Sequence, residues 1–73
     1  MDKDRLERLI EAAAVSYNWV GAQVGVTGQA IGLYARGNRP IPPSRANKLQ
    51  SLLVAKAQER LKFILDTLQT VAD

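Results

Sequence analysis

The sequence predicts an all-α fold: a compact domain of four to five helices that ends in a long C-terminal helix. Apolar residues recur at the i, i+3 and i+4 spacings of helices, and no segment shows the alternation of a strand. Positions 44–72 contain neither glycine nor proline, which favours uninterrupted helix there. Seventy-three residues suffice for one small domain, with a core at about 4–55 and a C-terminal dimerisation helix at about 56–72.

The first helix is predicted from about Asp4 to Val15, and its role is structural. Its apolar stripe consists of Leu6, Leu9, Ile10 and Ala13. Asp2 and Asp4 lie at its N-terminus, where the helix dipole favours negative charge. We expect this helix to cover the back of the next two helices.

The segment Ser16–Gly37 predicts two short helices joined by a tight turn. Ser16 is a suitable N-cap for the first, and Val20 and Val24 have the i, i+4 spacing of a buried face. Gly25 follows where a helix end commonly needs a left-handed backbone.

The helix after this turn has its own start and stop signals. Thr27 is a good N-cap, and Gly37 can end the helix. Ala30, Ile31 and Tyr34 are predicted to face inward. The whole pattern is that of a helix-turn-helix, whose second helix enters the major groove of DNA.

A loop at Asn38–Pro43 precedes the last helical region, because its three prolines cannot continue a helix. Ile41 is expected to pin this loop to the core. Ser44 is the expected N-cap of the last helical region. From there the sequence fits either one long helix or two helices with a bend near Val54–Lys56.

The last helical region carries two different apolar patterns. The first closes the core and consists of Ala46, Leu49, Leu52 and Leu53. The second has the alternating 3, 4 spacing of a heptad seam and consists of Val54, Ala57, Leu61, Ile64, Leu68 and Val71. Leu65 widens this seam, so a broader helical interface fits as well.

The composition excludes most enzyme classes. The chain has no cysteine and no histidine, which removes thiolate chemistry, the usual zinc ligands and the commonest general base. Its glycines do not follow a strand, so they do not form a nucleotide-binding loop. We expect no enzymatic activity, no metal, no cofactor and no small-molecule ligand. Without an apolar span or a signal peptide, the expected compartment is the cytoplasm, with no membrane partner.

The charge distribution points to a polyanionic partner. The net charge is +3, and all seven acids lie outside positions 12–58. The basic residues inside that stretch are Arg36, Arg39, Arg45, Lys48 and Lys56. A solvated basic face would show the same charges, but their coincidence with the helix-turn-helix favours nucleic acid.

The same stretch resembles the phage repressor and Cro-like family of small DNA-binding regulators. The resemblance rests on Gly21, the turn Gly25-Val26-Thr27, the inward Ile31 and Tyr34, and the downstream run at 37–42, and it covers roughly residues 5–53. It implies a dimer on a palindromic operator. The family usually has alanine at position 21 and more polar side chains on the recognition helix than this chain has.

The predicted base contacts lie on the outward face of the second helix of the motif. They are Thr27, Gly28, Gln29, Gly32 and Leu33. The Gln29 amide can bond to adenine N6 and N7, and Leu33 can lie against a thymine methyl group. Gly28 and Gly32 each weaken a helix by about 1 kcal/mol. Either close approach of the backbone to DNA or tolerance of loose packing would explain them.

The predicted phosphate contacts surround this helix. They are Tyr17, Arg36, Asn38, Arg39, Ser44, Arg45 and Lys48. Free amides at the helix N-termini near Thr27 and Ser44 could each hold a phosphate. Trp19 is expected to be partly buried against neighbouring helices, and an indole contact to a phosphate is the alternative.

Two functions fit these patterns. The first is a sequence-specific regulator of double-stranded DNA, a small dimeric repressor that occludes a promoter. Its expected dimer interface consists of Ala57, Leu61, Ile64, Leu65, Leu68 and Val71, unless this stripe folds back onto Leu6 and Ile10. The alternative is a protein-interaction module, such as an antitoxin-like or anti-effector partner, that uses the same stripe.

Overall fold

A computed structural model describes residues 1–72, and side-chain surroundings as far as Thr70. Every regular element in this range is helical, which confirms the predicted all-α class. The helices are α1 (Lys3–Ala13), α2 (Tyr17–Val24), α3 (Gly28–Ala35) and α4 (Pro43–Ala72). The side chain of Val71, the last predicted interface residue, lies outside the described surroundings.

The first three helices each begin at a side-chain cap. The Asp2 carboxylate accepts a hydrogen bond from the Arg5 amide at 2.8 Å, so Asp2 is a true N-cap as well as a charge near the helix dipole. Ser16 Oγ accepts from the Trp19 amide at 3.0 Å, and Thr27 Oγ1 accepts from the Ala30 amide at 3.1 Å. The predicted caps at Ser16 and Thr27 are therefore confirmed.

Left-handed residues end these helices. Gly25 has φ +80° and Gly37 has φ +78°, as expected for glycine at a helix end. Ala14 also takes this conformation, with φ +56°, although alanine disfavours it. Because Ala14 ends α1, the helix stops before Val15, where the sequence predicted its end. Val15 instead packs against the core.

The start of α4 differs from the prediction. The helix begins at Pro43, and the Ala46 amide donates to the Pro42 carbonyl oxygen at 2.8 Å. Proline suits the first helical position because it has no N–H to leave unpaired there. Ser44 is therefore the second residue of α4, and the prediction that it caps the helix is wrong. Ile41 packs against the core, which confirms its predicted role in holding the loop.

The last element is one continuous helix of 30 residues, so the alternative with a bend near Val54–Lys56 is wrong. At 1.5 Å per residue its length is about 45 Å, close to the longest extent of the molecule, 47 Å. Its first half packs mainly on α1, while residues 61–70 are exposed. Across residues 1–72, no helix combines the length and apolarity needed to cross a membrane.

All four helices contribute to a single core. Its buried members are Leu6, Ile10, Ala13, Val20, Ile31, Tyr34, Ala35, Leu49 and Leu53. The one polar atom among these side chains, the Tyr34 hydroxyl, accepts a hydrogen bond from Arg45 Nη1 at 2.9 Å. This core fixes the position of α3 relative to α2, which is the pair that carries the candidate site.

Candidate nucleic-acid interface

A shallow groove separates the first turn of α2 from the exposed side of α3. The α2–α3 groove has a volume of about 400 Å³ and is lined by Ser16, Tyr17, Asn18, Gly28, Gln29, Gly32 and Arg36. Five of these seven residues are among the predicted base and phosphate contacts. The fold therefore brings predicted contacts from two helices to one surface.

The two glycines of α3 are explained by packing against α2. A Cβ atom on Gly28 would overlap the Asn18 side chain and lie 2.9 Å from the Asn18 Cα. Position 28 is thus tightly packed, and the idea of loose packing tolerance is wrong there. Gly32 is buried, with a hypothetical Cβ 3.4 Å from the Tyr17 ring and 3.5 Å from Arg36 Nη2. The expectation that Gly32 faces outward is therefore wrong, because Tyr17 and Arg36 cover it.

The other three predicted base contacts differ in exposure. Gln29 is exposed and lines the groove, so its amide is available to a ligand. Thr27 is exposed, but its hydroxyl oxygen already accepts the capping hydrogen bond. Leu33 is half-buried rather than fully outward, and it is not part of the groove lining. Gln29 is consequently the strongest candidate for reading a base.

Four predicted phosphate contacts lie at the groove or follow it along the chain. Tyr17 and Arg36 both line the groove beside Gly32, and both residues are exposed. Asn38 and Arg39 are exposed in the loop after α3. The backbone N–H of Asn38 donates to the Leu33 carbonyl oxygen at 2.9 Å. Within residues 1–72, no carboxylate lies within ion-pair distance of Arg36 or Arg39.

The contacts predicted on α4 are not gathered at this groove. Arg45 is half-buried, and its guanidinium binds the Tyr34 hydroxyl, so it links α4 to the end of α3. Ser44 is exposed in the first turn of α4. Lys48 lines a separate groove between α4 and the end of α2, together with Gln23, Val24, Asn47, Ser51 and Leu52.

The environment of Trp19 confirms its predicted partial burial. The ring packs against the core, and Lys56 Nζ lies 5.4 Å from the ring centroid in a cation–π contact. Lys56 also lies 3.3 Å from a carboxylate oxygen of Glu59. Lys56, like Arg45, is therefore already engaged within the molecule.

A second candidate surface lies on the distal part of α4. The distal stripe consists of Leu61, Ile64, Leu65 and Leu68, which are 56%, 39%, 51% and 58% exposed. It continues into an apolar groove of about 370 Å³ between α1 and α4. The α1–α4 groove is lined by Leu9, Ala12, Val54, Ala57, Gln58, Arg60, Leu61 and Ile64. The four residues of the distal stripe stay exposed instead of joining the core with Leu6 and Ile10, whereas Ala57, also a predicted interface residue, packs against that core.

Several residues of these surfaces were missed by sequence reasoning. Ser16 and Asn18 line the α2–α3 groove, and their place at the start of α2, beside Tyr17, was the available signal. Leu9 and Ala12 were assigned only to α1 and its core, but they also line the α1–α4 groove. Phe63 is 69% exposed and lies off the heptad seam, so the heptad spacing does not include it.

No family model, curated protein or solved structure is detectably similar to this chain. The two surfaces described above are therefore the basis for assigning a function.

Proposed function

We propose that this protein is a sequence-specific regulator that binds double-stranded DNA through α2, the intervening turn and α3, acting as a helix-turn-helix motif. The observation that carries the proposal is the α2–α3 groove. It brings an exposed amide, Gln29, to the same surface as Tyr17 and Arg36, whose side chains both lie beside Gly32. A base-reading amide that shares one exposed surface with phosphate-binding groups is the arrangement that a major-groove reader needs.

In this proposal α3 enters the major groove and Gln29 contacts a base edge. Tyr17, Arg36 and Arg39 hold the phosphates on either side, helped by the free amides in the first turn of α2. The absence of acids from positions 12–58 keeps repulsion of the DNA backbone low along this face. Phosphate contacts set the position of the protein, while Gln29 supplies sequence preference.

The regulator acts as a homodimer on a palindromic operator and represses by occluding a promoter. One α3 contacts only one half-site, and so small an interface rarely gives tight specific binding. The exposed distal stripe on α4 offers the surface for a second copy. The same stripe also supports the second candidate function, a module that binds another protein.

The salt dependence of binding to random duplex DNA tests the proposal and separates the two functions. We expect a steep loss of affinity with salt, and we expect Arg39→Ala to lower the slope of log K against log salt by roughly 1. Lys62→Ala is the matched control, because Lys62 is exposed on distal α4, far from the groove. Absence of binding at low salt would reject DNA as the partner and favour a protein.

A further inference from the structure

The distal stripe and the α1–α4 groove form one continuous apolar surface. Leu61 and Ile64 belong to both, so the stripe leaves the groove without a break. The groove covers the seam from Val54 to Ile64, and the stripe covers it from Leu61 to Leu68. These two segments overlap on one helix, and each can cover the other when two copies pair in opposite directions.

We propose that a second copy of this chain occupies the surface, with the two α4 helices antiparallel. In one register every seam position meets a seam position of the other copy. Ala57 then faces the partner's Leu68, and Leu61 faces the partner's Ile64. An a position faces a d position in each pair, as knobs-into-holes packing of antiparallel helices requires.

The α1–α4 groove distinguishes this arrangement from a parallel one. In an antiparallel pair, the partner's distal stripe lies over the groove and contacts its α1 wall, Leu9 and Ala12. In a parallel pair each stripe covers only the other stripe, and the groove stays open to water. Antiparallel pairing therefore buries more apolar area, and it also opposes the two helix dipoles.

No like charges face each other across this seam. The positions beside it are Gln58 and Leu65 on one side, and Arg60 and Thr67 on the other. Arg60 Nη1 donates to the carbonyl oxygens of Glu11 and Ala12, each at 3.3 Å, which directs the guanidinium to the end of α1. The seam is thus free of the charge repulsion that would oppose self-association.

The register also sets the distance between the cores of the two copies. That this distance suits DNA is an inference that rests on the proposed function. Along α4, the core of each copy lies near Gln50, whose side chain accepts a hydrogen bond from Arg5 of α1. In this register the two Gln50 levels lie 25 helical positions apart, or about 37 Å along the pair. One DNA turn, the distance between half-sites, is about 34–36 Å.

Cysteine cross-linking tests the arrangement, because the natural chain has no cysteine. Ala57→Cys and Leu68→Cys are made as separate proteins and oxidised singly and as an equimolar mixture, without DNA. Antiparallel pairing brings Cα 57 and the partner's Cα 68 within disulfide reach, about 4–7 Å, whereas each position lies about 16 Å from its own copy along the pair. We expect a disulfide-linked dimer at least several-fold more abundant in the mixture than in either protein alone.

The other outcomes each overturn the arrangement. Cross-linking of each protein with itself indicates a parallel pair, and cross-linking in all three samples indicates unspecific contact. No cross-linking in a sample that sediments as a monomer means that the surface serves a different protein. Since no DNA is present, these outcomes leave the proposal of DNA binding intact, and its own failure would appear only in the salt experiment.

Discussion

At the scale of single residues, the glycines of α2 and α3 differ in what a side chain would meet. A Cβ on Gly21 would lie 2.5 Å from the Val26 carbonyl oxygen and 2.8 Å from the Thr27 carbonyl carbon. Both contacts are with the backbone of the turn, which cannot rotate away as a side chain can. At Gly32 the corresponding contacts are 3.4 Å or longer, which is ordinary packing.

We therefore expect Gly21→Ala to destabilise the protein by about 1–3 kcal/mol, the usual effect of overpacking. Gly32→Ala is the control. It also replaces a helical glycine by alanine, which favours the helix by about 1 kcal/mol, but it creates no steric conflict. Urea unfolding of both variants measures the difference. Equal stabilities would show that the turn after α2 moves freely to accept a methyl group.

Gln29 is the residue on which sequence preference should depend. Gln29→Ala is expected to cost about 1–3 kcal/mol on the preferred site and to relax the preference at one base pair. Affinity for random DNA should hardly change, because the amide makes no phosphate contact in the proposed complex. Quantitative binding to a randomised operator library measures this, with Gln23→Ala, an exposed glutamine on α2, as the control. Unaltered discrimination in Gln29→Ala would mean that another residue reads the base.

At the scale of elements, the end of α1 has an alanine in an unfavourable backbone conformation and receives hydrogen bonds from a side chain of α4. Ala14 is left-handed, and its amide donates to the Glu11 carbonyl oxygen at 3.1 Å. Arg60, 46 positions along the chain from Ala14, donates to the last carbonyls of the same helix. The contact gives the Ala12 carbonyl oxygen a donor, adds a second donor to that of Glu11, and places positive charge at the negative end of the helix dipole.

Ala14→Gly should stabilise the protein by up to about 1 kcal/mol, because glycine adopts the left-handed backbone without a Cβ penalty. Ala22→Gly, at an exposed position inside α2, should instead destabilise it by a similar amount. Thermal unfolding monitored by circular dichroism compares the two. If both variants lose stability equally, the left-handed conformation of Ala14 carries no strain.

At the scale of the whole molecule, a compact body carries a projecting helix. The extents are 47 × 19 × 19 Å, and the long axis is set by α4. Residues 61–70 are exposed on all sides of this helix. The large apolar side chains of this part, Leu61, Phe63, Ile64, Leu65 and Leu68, therefore stay exposed in a single copy of the chain.

The double variant Leu61→Asp, Leu68→Asp should be a monomer that keeps its folded body and loses tight binding to a palindromic site. The reason is that both side chains lie on the distal stripe and neither contributes to the core. Sedimentation gives the oligomeric state, and circular dichroism gives the helix content. Phe63→Asp is the control, since Phe63 is exposed on the opposite side of α4 and should leave the dimer intact. A wild-type protein that sediments as a monomer would contradict the prediction.

The class of the fold and most helix ends can be predicted from the amino-acid sequence alone. Ser16, Thr27, Gly25 and Gly37 act on backbone groups within a few residues of themselves, so their effect can be predicted without knowing the rest of the structure. The seam of distal α4 is also local, because its spacing alone defines a stripe. The start of α4 at Pro43 was missed because a proline and a serine one position apart are both good start signals.

The way in which these helices pack against one another could not be predicted from the sequence. The packing of Gly28 on Asn18, the burial of Gly32 and the bond from Arg45 to Tyr34 all depend on the angles between helices. The bonds from Arg60 to α1 span almost fifty positions in the chain. Helical periodicity specifies which face of a helix is apolar, but the crossing angle is set by the combined shape of the side chains on both helices. That shape exists only once the core has formed.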